Sequence, residues 1–287
     1  MTPKQSNLIV RTLTGIVFLI VMIGGLTYSY LSMGVLFTLI TALSVREFCQ
    51  IMNERDDVDL NPMICSVGGA YLFLAFFGYL SGITPTPAVF IPYLISIVYM
   101  LVCELYLQRE SPINNWAYTM LSQMYVALPF SLIPVLGFMT DPAHPMQVGY
   151  RWIFPLSVFI FLWTSDTGAY CFGSLFGKHR LFERISPKKS WEGSIGGAFT
   201  SLLAACVIWH FDNSLTLIQW LGFALVVVIF GTWGDLVESL MKRQLGIKDS
   251  GNILPGHGGM LDRFDSSLLA IPAVVVYLYT LTIFVRV

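Results

Sequence analysis

The residues best suited to chemistry lie in the second half of the chain, near the end of one long apolar segment. If that segment continues as a helix through Arg243, positions i, i+3, i+4 and i+7 share one face, and they are occupied by Asp235, Glu238, Ser239 and Lys242. Such a face presents carboxylates, which bind cations, beside an ammonium group, which binds phosphate oxygens. The pattern predicts a polar, ligand-binding surface at a helix end.

Two further acids stand where the last apolar segment begins. Asp262 and Asp265 are three residues apart, so they also share a helix face. Together with Asp235 they form an all-oxygen ligand set, which favours Mg²⁺. His257 lies in the glycine-rich turn before them, but no second His stands at ligand spacing, and a zinc site is therefore disfavoured. We predict that Asp235, Asp262 and Asp265 bind Mg²⁺.

Cationic residues surround these acids and predict contacts with phosphate groups. Lys and Arg cannot be metal ligands, but their N–H groups suit phosphate oxygens. The cations that we assign to this role are Lys188, Lys189, Lys242, Arg243, Lys248 and Arg263. Carboxylates, cations and a glycine-rich turn at a membrane surface predict Mg²⁺-assisted phosphoryl or nucleotidyl transfer. A set of surface ion pairs is the alternative, but it does not explain why the acids begin at the ends of apolar segments.

A second polar group lies earlier in the chain and begins inside an apolar segment. A carboxylate in a membrane helix is costly and is usually paired, protonated or functional, so we expect Asp166 to support the site. Lys188 and Lys189 follow a proline and precede Trp191, a composition typical of a folded loop. The residues to which we assign a supporting role are Asp166, Trp191, Glu192 and Glu238.

The overall composition indicates which elements must position these residues. Hydrophobic residues make up 55% of the 287-residue chain and charged residues 11%, and the mean hydropathy is +0.70. A soluble domain is about a quarter charged, so an ordinary water-soluble enzyme is excluded, as is intrinsic disorder. The formal net charge of −1 excludes a broadly basic nucleic-acid-binding protein, and we expect no nucleic acid partner.

Apolar segments long enough to cross a bilayer, which takes about 20 residues of helix, recur along the chain. The nine segments are centred near Val17, Leu39, Leu72, Ile97, Leu128, Phe159, Leu203, Leu225 and Val275. We therefore predict an all-α polytopic membrane protein of about nine transmembrane helices. Residues 1–145 should form N-terminal transmembrane helices, and residues 146–287 a C-terminal transmembrane catalytic region.

The basic residues predict how these helices are oriented. With nine spans, all of the 16 Lys and Arg residues except Arg151 and Arg286 lie on the side of the N-terminus. Because loops rich in Lys and Arg face the cytoplasm, we expect a cytoplasmic N-terminus and an external C-terminus in a bacterial-type cytoplasmic membrane. The loops 174–193 and 237–265 are then cytoplasmic, and the active site lies at cytoplasmic helix ends.

The stretch from Ser239 to Asp265 resembles the sequence pattern of the phosphatidate cytidylyltransferases, also called CDP-diacylglycerol synthases. The polar and glycine positions of that pattern are filled here. The stretches Ser165–Tyr170 and Ser186–Gly193 also resemble this family. The similarity covers roughly residues 150–287, whereas the N-terminal half matches only as a set of membrane helices.

The resemblance implies that CTP and phosphatidate react to CDP-diacylglycerol and diphosphate at the cytoplasmic membrane face, for phospholipid biosynthesis. It also implies Mg²⁺ as cofactor with K⁺ as a second cation, and a homodimer among membrane lipids. The positions that match the family's acidic residues are Asp235, Asp262 and Asp265. Its other motif positions are matched by Lys242, Arg243, Lys248, Asp249, His257 and Arg263.

On the residues and the resemblance together, two sets of site residues are expected. The catalytic set comprises Asp235, Asp262, Asp265, Lys242 and Arg243. The substrate-binding set comprises Lys188, Lys189, Ser239, Lys248, Asp249, His257, Gly258, Gly259 and Arg263. A stack of Trp191 on the cytosine base is an additional hypothesis.

Three alternative functions are open to residues of these types. A CTP-dependent polyprenol or phytol kinase would transfer the γ-phosphoryl group and release CDP. The CDP-alcohol phosphotransferases are disfavoured, because their pattern needs an Asp-Gly dipeptide and the chain contains none. A cation or phosphate transporter that uses Asp166, Glu104 and Asp235 along a path is more distant, since no strong internal repeat is visible and the polar residues crowd toward the cytoplasmic side.

Overall fold

The computed structural model describes residues 3–139, 149–253, 256 and 258–284. In that part of the chain nearly all regular structure is helical, which confirms the predicted all-α architecture. The chain divides into two compact units. The first consists of Met1–Phe138, Tyr150–Trp152 and Leu245–Phe264, and the second of Met139–Gly149, Ile153–Gln244 and Asp265–Val287. The boundary that the sequence predicts at residue 145 lies outside the described residues.

The first unit contains the N-terminal helices. They are α1 (Pro3–Thr27), α2 (Tyr30–Met52), α3 (Pro62–Leu80) and, after a 3-10 turn at Pro87–Phe90, α4 (Ile91–Leu107). One apolar stretch follows, made of α5 (Pro112–Leu121), a π-helical segment (Ser122–Ala127), α6 (Leu128–Ser131) and α7 (Ile133–Gly137). Local signals set the helix starts: Ser29 and Ser32 form a capping box before α2, and the Asn61 side chain caps α3.

The second unit contains the remaining elements. They are α8 (Ile153–Phe176), the strands β1 (Arg180–Phe182) and β2 (Ser186–Ser190), α9 (Trp191–Phe211), α10 (Leu217–Gln244) and all but the first residues of α11 (Leu261–Phe284). The strands pair antiparallel, with Arg180 opposite Ser190 and Phe182 opposite Ser186. The folded loop predicted around the two lysines is thus a β-hairpin that leads into α9.

Seven helical stretches among the described residues are long and apolar enough to cross a membrane. They are Tyr30–Met52, Pro62–Leu80, Pro87–Leu107, Pro112–Gly137, Trp191–Phe211, Leu217–Gln244 and Leu261–Ile283. The other two predicted segments lie in α1, whose described apolar stretch Arg11–Thr27 is shorter, and in α8, which carries polar residues around Asp166. Each predicted segment therefore coincides with a helix, and the sidedness of the helices stays a prediction.

Aromatic rings form the core of the first unit around the start of α11. The ring of Phe264 lies 5.9 Å from that of Phe18, 6.5 Å from Phe37 and 5.4 Å from Phe130, measured between centroids. Phe37 in turn lies 6.4 Å from Phe73. Ring pairs at these distances stabilise a core beyond the area that they bury. This packing fixes the start of α11 on the N-terminal helices.

In the second unit, α8 and α9 pack closely because small residues line their contact. A Cβ on Gly197 would lie 2.7 Å from the carbonyl oxygen of Ser165, so only glycine permits this approach. The Thr200 hydroxyl of α9 donates to the carbonyl oxygen of Thr164 in α8 at 2.8 Å. This packing places Asp166 on the same cavity as the start of α9.

Candidate active site

The end of α10 carries the polar face that its residue spacing predicts. The Ser239 hydroxyl donates to Oδ1 of Asp235 at 3.0 Å, and Lys242 Nζ lies 3.3 Å from Oε1 of Glu238. Glu238 is fully buried, and a buried carboxylate needs such a cation nearby because its charge has lost contact with water. The two contacts between side chains four residues apart form as the spacing predicts, and the ligand-binding role of this face stays a prediction.

A glycine brings this face against α11. A Cβ on Gly234 would lie 2.6 Å from the carbonyl oxygen of Asp265 and 3.0 Å from that of Ser266. The backbones of α10 and α11 therefore approach closely only because residue 234 has no side chain. Since Asp235 follows directly, the approach places its carboxylate near the second turn of α11.

The β-hairpin delivers a cation to the same place. Nζ of Lys189, at the end of β2, lies 2.5 Å from Oδ2 of Asp235. The next residue, Ser190, caps α9, because its hydroxyl accepts a hydrogen bond from the Gly193 N–H at 3.1 Å. The cap fixes the direction in which the hairpin ends, and with it the position of the Lys189 side chain.

Glu192 holds the two residues that lead into the first strand of the hairpin. Its carboxylate accepts the backbone N–H of Lys178 at 3.1 Å and that of His179 at 3.2 Å, and it lies 2.6 Å from Nδ1 of His179. The Trp191 N–H donates to the carbonyl oxygen of His179 at 2.9 Å. The supporting role predicted for Glu192 thus has a physical basis, since it ties the first residues of the hairpin to α9.

These elements enclose a cavity of about 220 Å³ within the second unit. Its charged lining residues are Asp166, Lys188, Lys189 and Asp235. The start of α9 contributes Ser190, Gly193 and Ser194 to the lining. Carboxylates, ammonium groups and a helix N-terminus therefore line one cavity. Ammonium groups and helix N-termini bind anions.

Asp265 adds a third carboxylate to this group. It interacts electrostatically with Asp166 and Asp235, which bear the same charge, and with the opposite charge of Lys242. Its Oδ1 accepts a hydrogen bond from the N–H of Ser266 at 2.5 Å. Interacting carboxylates repel one another unless cations offset their charge, and Lys189 and Lys242 provide part of that offset.

The donors of this group fit Mg²⁺. Proteins commonly hold Mg²⁺ with one or two carboxylates, while water and substrate phosphates supply the other oxygens. Asp235 and Asp265 provide such a pair. Within the described part of the chain no group of three or more His, Cys, Asp or Glu residues stands at ligand spacing, so a cage made of protein ligands alone is not formed there. The pair suits a cation that shares its ligands with phosphates, and its binding stays a prediction.

Asp262 lies in the first unit and holds a loop. We call the described residues between α10 and α11, which are 245–253, 256 and 258–260, the glycine-rich loop. Oδ2 of Asp262 accepts the N–H of Ser250 at 2.8 Å and that of Gly259 at 2.9 Å. Gly258 has φ +82°, and a Cβ there would lie 2.6 Å from the same oxygen. The carboxylate thus shapes the loop, and its predicted role as a metal ligand is untested.

The sequence analysis missed Glu47, which reaches the same loop from α2. Its Oε1 accepts the Ser250 hydroxyl and its Oε2 the N–H of Leu261, both at 3.0 Å. The side chain is buried. A signal was present, because a carboxylate inside an apolar helix is unusual. Another such acid, Glu104, accepts hydrogen bonds from Arg109 and from Asn115 of α5, so these partners compensate its burial.

The other predicted site residues lie at the surface or outside the described residues. Those with exposed side chains are Lys188, Trp191, Arg243, Lys248, Asp249 and Arg263. His257 lies outside the described residues. Exposed cations are suited to bind a ligand that arrives from water, but their assignment stays a prediction.

Proteins similar to this chain include phosphatidate cytidylyltransferases of staphylococci. Over 118 residues, 41% of this chain, it is 51% identical to the phosphatidate cytidylyltransferase of Staphylococcus aureus (strain COL) and covers 45% of that protein. Over 164 residues, 54% of this chain, it is 45% identical to that of Staphylococcus haemolyticus (strain JCSC1435) and covers 62% of it. The chain thus matches about half of the length of these curated relatives.

A family comparison extends beyond these stretches. The model of the Cytidylyltransferase family matches residues 9–281, and therefore includes the N-terminal helices as well as the polar cavity. The resemblance seen in the sequence had covered only the second half of the chain. The chain belongs to the Cytidylyltransferase family.

Proposed function

We propose that this membrane protein is a phosphatidate cytidylyltransferase, which converts CTP and phosphatidate to CDP-diacylglycerol and diphosphate. The observation that carries the proposal is the cavity lined by Asp166, Lys188, Lys189 and Asp235. Groups of both signs suit a reaction in which two phosphate-bearing substrates meet with a divalent cation. Membership of the family and the names of the similar proteins support the same activity.

The reaction joins two anions. A phosphate oxygen of phosphatidate attacks the α-phosphorus of CTP. The new P–O bond forms while the bond from that phosphorus to the bridging oxygen breaks, and diphosphate leaves with the electron pair. Because the second pKa of a phosphate monoester is about 6, the nucleophile is negatively charged near neutral pH and needs no strong base. The obstacle is electrostatic, so the protein must offset negative charge on both reactants.

The residues of the second unit fit this task. Lys188 and Lys189 would bind phosphate oxygens. Lys242 interacts electrostatically with Asp265 and would add a third positive charge. Asp235 and Asp265 would hold Mg²⁺, which when bound polarises phosphate oxygens and stabilises the charge of the leaving group. Asp166 and Glu238 would support the site through the negative charge of their carboxylates. Because the family resemblance implies K⁺ as a second cation, we propose that K⁺ binds beside Mg²⁺.

The glycine-rich loop of the first unit would bind substrate phosphates. Its exposed Lys248, the exposed Arg263 after it and the backbone at Gly258 and Gly259 have the required chemistry. Asp249 and His257 are proposed as further substrate-binding residues of the first unit, and Ser239 and Arg243 as further ones of the second unit. Asp262 is also proposed to bind a cation.

We also propose how the site is reached from the bilayer and from the cytoplasm. Helices that end near the site would allow phosphatidate to keep its acyl chains among membrane lipids while CTP enters from the cytoplasm. We propose that the N-terminus is cytoplasmic and that the protein forms a homodimer.

The proposal is tested by a product analysis. Purified protein in lipid receives phosphatidate, Mg²⁺ and CTP labelled at the α-phosphorus. We expect the label to enter a lipid, diphosphate to appear in equal amount, and both to stop when EDTA removes the metal. Asp235→Asn should transfer less label at the same Mg²⁺ concentration, and Asp212→Asn, at the end of α9, is the matched control.

Two other outcomes would contradict the proposal. If labelled CDP is released as a free product when a polyprenol replaces phosphatidate, the protein is a kinase that transfers the γ-phosphoryl group. If folded protein turns over neither acceptor, transport of an ion through the membrane becomes the better explanation of its buried acids.

A further inference from the structure

Glu47 is a buried carboxylate for which the proposed reaction has no use. Glu47 lies near the end of α2 and is only 2% exposed. A charge buried among apolar helices is unfavourable unless hydrogen bonds compensate it. Its compensating donors include the Ser250 hydroxyl and the Leu261 N–H, which come from the glycine-rich loop and the first residue of α11.

The contacts of Glu47 continue to a predicted site residue. The Ser250 hydroxyl oxygen, which donates to Glu47, accepts the N–H of Asp262 at 3.3 Å. Oδ2 of Asp262 accepts the N–H groups of Ser250 and Gly259. These hydrogen bonds join the three residues in one network, to which Glu47 contributes from α2.

The shape of the loop matches this carboxylate. A Cβ at Gly251 or at Gly259 would overlap Oε1 of Glu47, so both positions require glycine while Glu47 is in place. A second attachment comes from α1, where Nε of Arg11 donates to the carbonyl oxygen of Gly256 at 2.8 Å. The N-terminal helices therefore serve as the surface on which the loop is folded.

We propose that Glu47 is a positioning residue that holds the glycine-rich loop, and with it Lys248 and Asp262, in the conformation that binds the triphosphate of CTP. The proposal rests on the cytidylyltransferase function proposed above. Glu47 need not touch the substrate. If the loop moved away, the carboxylate would lose these donors in an apolar environment, which disfavours other positions of the loop.

The test compares Glu47→Gln with Glu104→Gln. Glu104 is the matched control, because it is a buried carboxylate of the same unit whose hydrogen-bond partners Arg109 and Asn115 lie outside the loop. Each variant is assayed as full-length protein in lipid for kcat and for KM of CTP, and for the rate of trypsin cleavage after Lys248. We expect Glu47→Gln to lower kcat/KM for CTP by about tenfold to a hundredfold, mainly through KM, and to speed cleavage. Glu104→Gln should change neither.

Ser250→Ala adds a test of the network. It removes the hydroxyl that joins Glu47 to Asp262, so its effect on kcat/KM should shrink in the Glu47→Gln background. If Glu47→Gln does not fold, Glu47→Asp takes its place in the same comparison. Glu47 variants with wild-type KM and wild-type cleavage, or effects equal to those of Glu104→Gln, would overturn the proposal. If the wild type transfers no cytidylyl group, the proposed function fails, and cleavage after Lys248 alone decides whether Glu47 holds the loop.

Discussion

Nζ of Lys189 lies 2.5 Å from Oδ2 of Asp235, which joins the end of the β-hairpin to the end of α10. Both residues line the same cavity, and the Ser239 hydroxyl occupies the other carboxylate oxygen of Asp235. An ammonium group in this position offsets a carboxylate charge and also faces the space where we propose that phosphates bind. Lys189 can therefore offset the charge of Asp235 and, in the proposed reaction, the charge of a bound phosphate.

Replacement of Lys189 by Met should remove this cation without leaving a cavity. We expect kcat/KM for CTP to fall by about a hundredfold or more, because a positioned donor to a transferring phosphate contributes that much. Lys189→Arg should retain part of the activity. The control is Lys178→Met in the same loop, since the Lys178 side chain is exposed and its backbone N–H donates to Glu192. Equal activity of Lys189→Met and Lys178→Met would contradict the assignment.

Replacement of either acid of the proposed metal pair should raise the requirement for Mg²⁺. For Asp235→Asn and Asp265→Asn we expect the Mg²⁺ concentration at half-maximal activity to rise about tenfold or more, because a neutral amide binds a hard cation poorly. The measurement is a Mg²⁺ titration of cytidylyl transfer. Asp212→Asn should titrate as the wild type does. A wild-type titration curve for both variants would show that these acids do not bind the metal.

The local features of the site could be predicted from the sequence, because they depend on short spacings. The pairs Asp235–Ser239 and Glu238–Lys242 are four residues apart on one helix, and any helix at this place would form them. Glu47 could not be assigned in this way. Its contacts join residues more than 200 positions apart, and only the packing of the helices reveals them. The hairpin was likewise predicted only as a folded loop, because its strands are short and their register is irregular.

Loss of the Glu192 carboxylate should loosen the hairpin. In Glu192→Ala the N–H groups of Lys178 and His179 lose their acceptor, so we expect trypsin to cleave faster after Arg180. KM for CTP should rise by about threefold to tenfold, a modest effect because the site is partly open to water. Glu183→Ala, in the exposed part of the same hairpin, is the control. Unchanged cleavage in Glu192→Ala would show that other contacts hold the hairpin.

A single methyl group at residue 234 should separate the two acids of the proposed metal pair. In Gly234→Ala the new Cβ would meet the carbonyl oxygens of Asp265 and Ser266, which belong to backbone and cannot rotate away. We expect a loss of about 1–3 kcal/mol in stability, as for other overpacked contacts, together with a higher Mg²⁺ requirement.

Gly24→Ala is the matched control for this change, because a Cβ there meets nothing within 4 Å. In a helix the exchange of Gly for Ala in open space is favourable by about 0.5–1 kcal/mol, so the thermal midpoint of this variant should not fall. The two variants are compared by thermal unfolding in detergent and by Mg²⁺ titration. If Gly234→Ala matched Gly24→Ala in both measurements, α10 and α11 would tolerate separation, and the close approach of Asp235 to Asp265 would not be needed for activity.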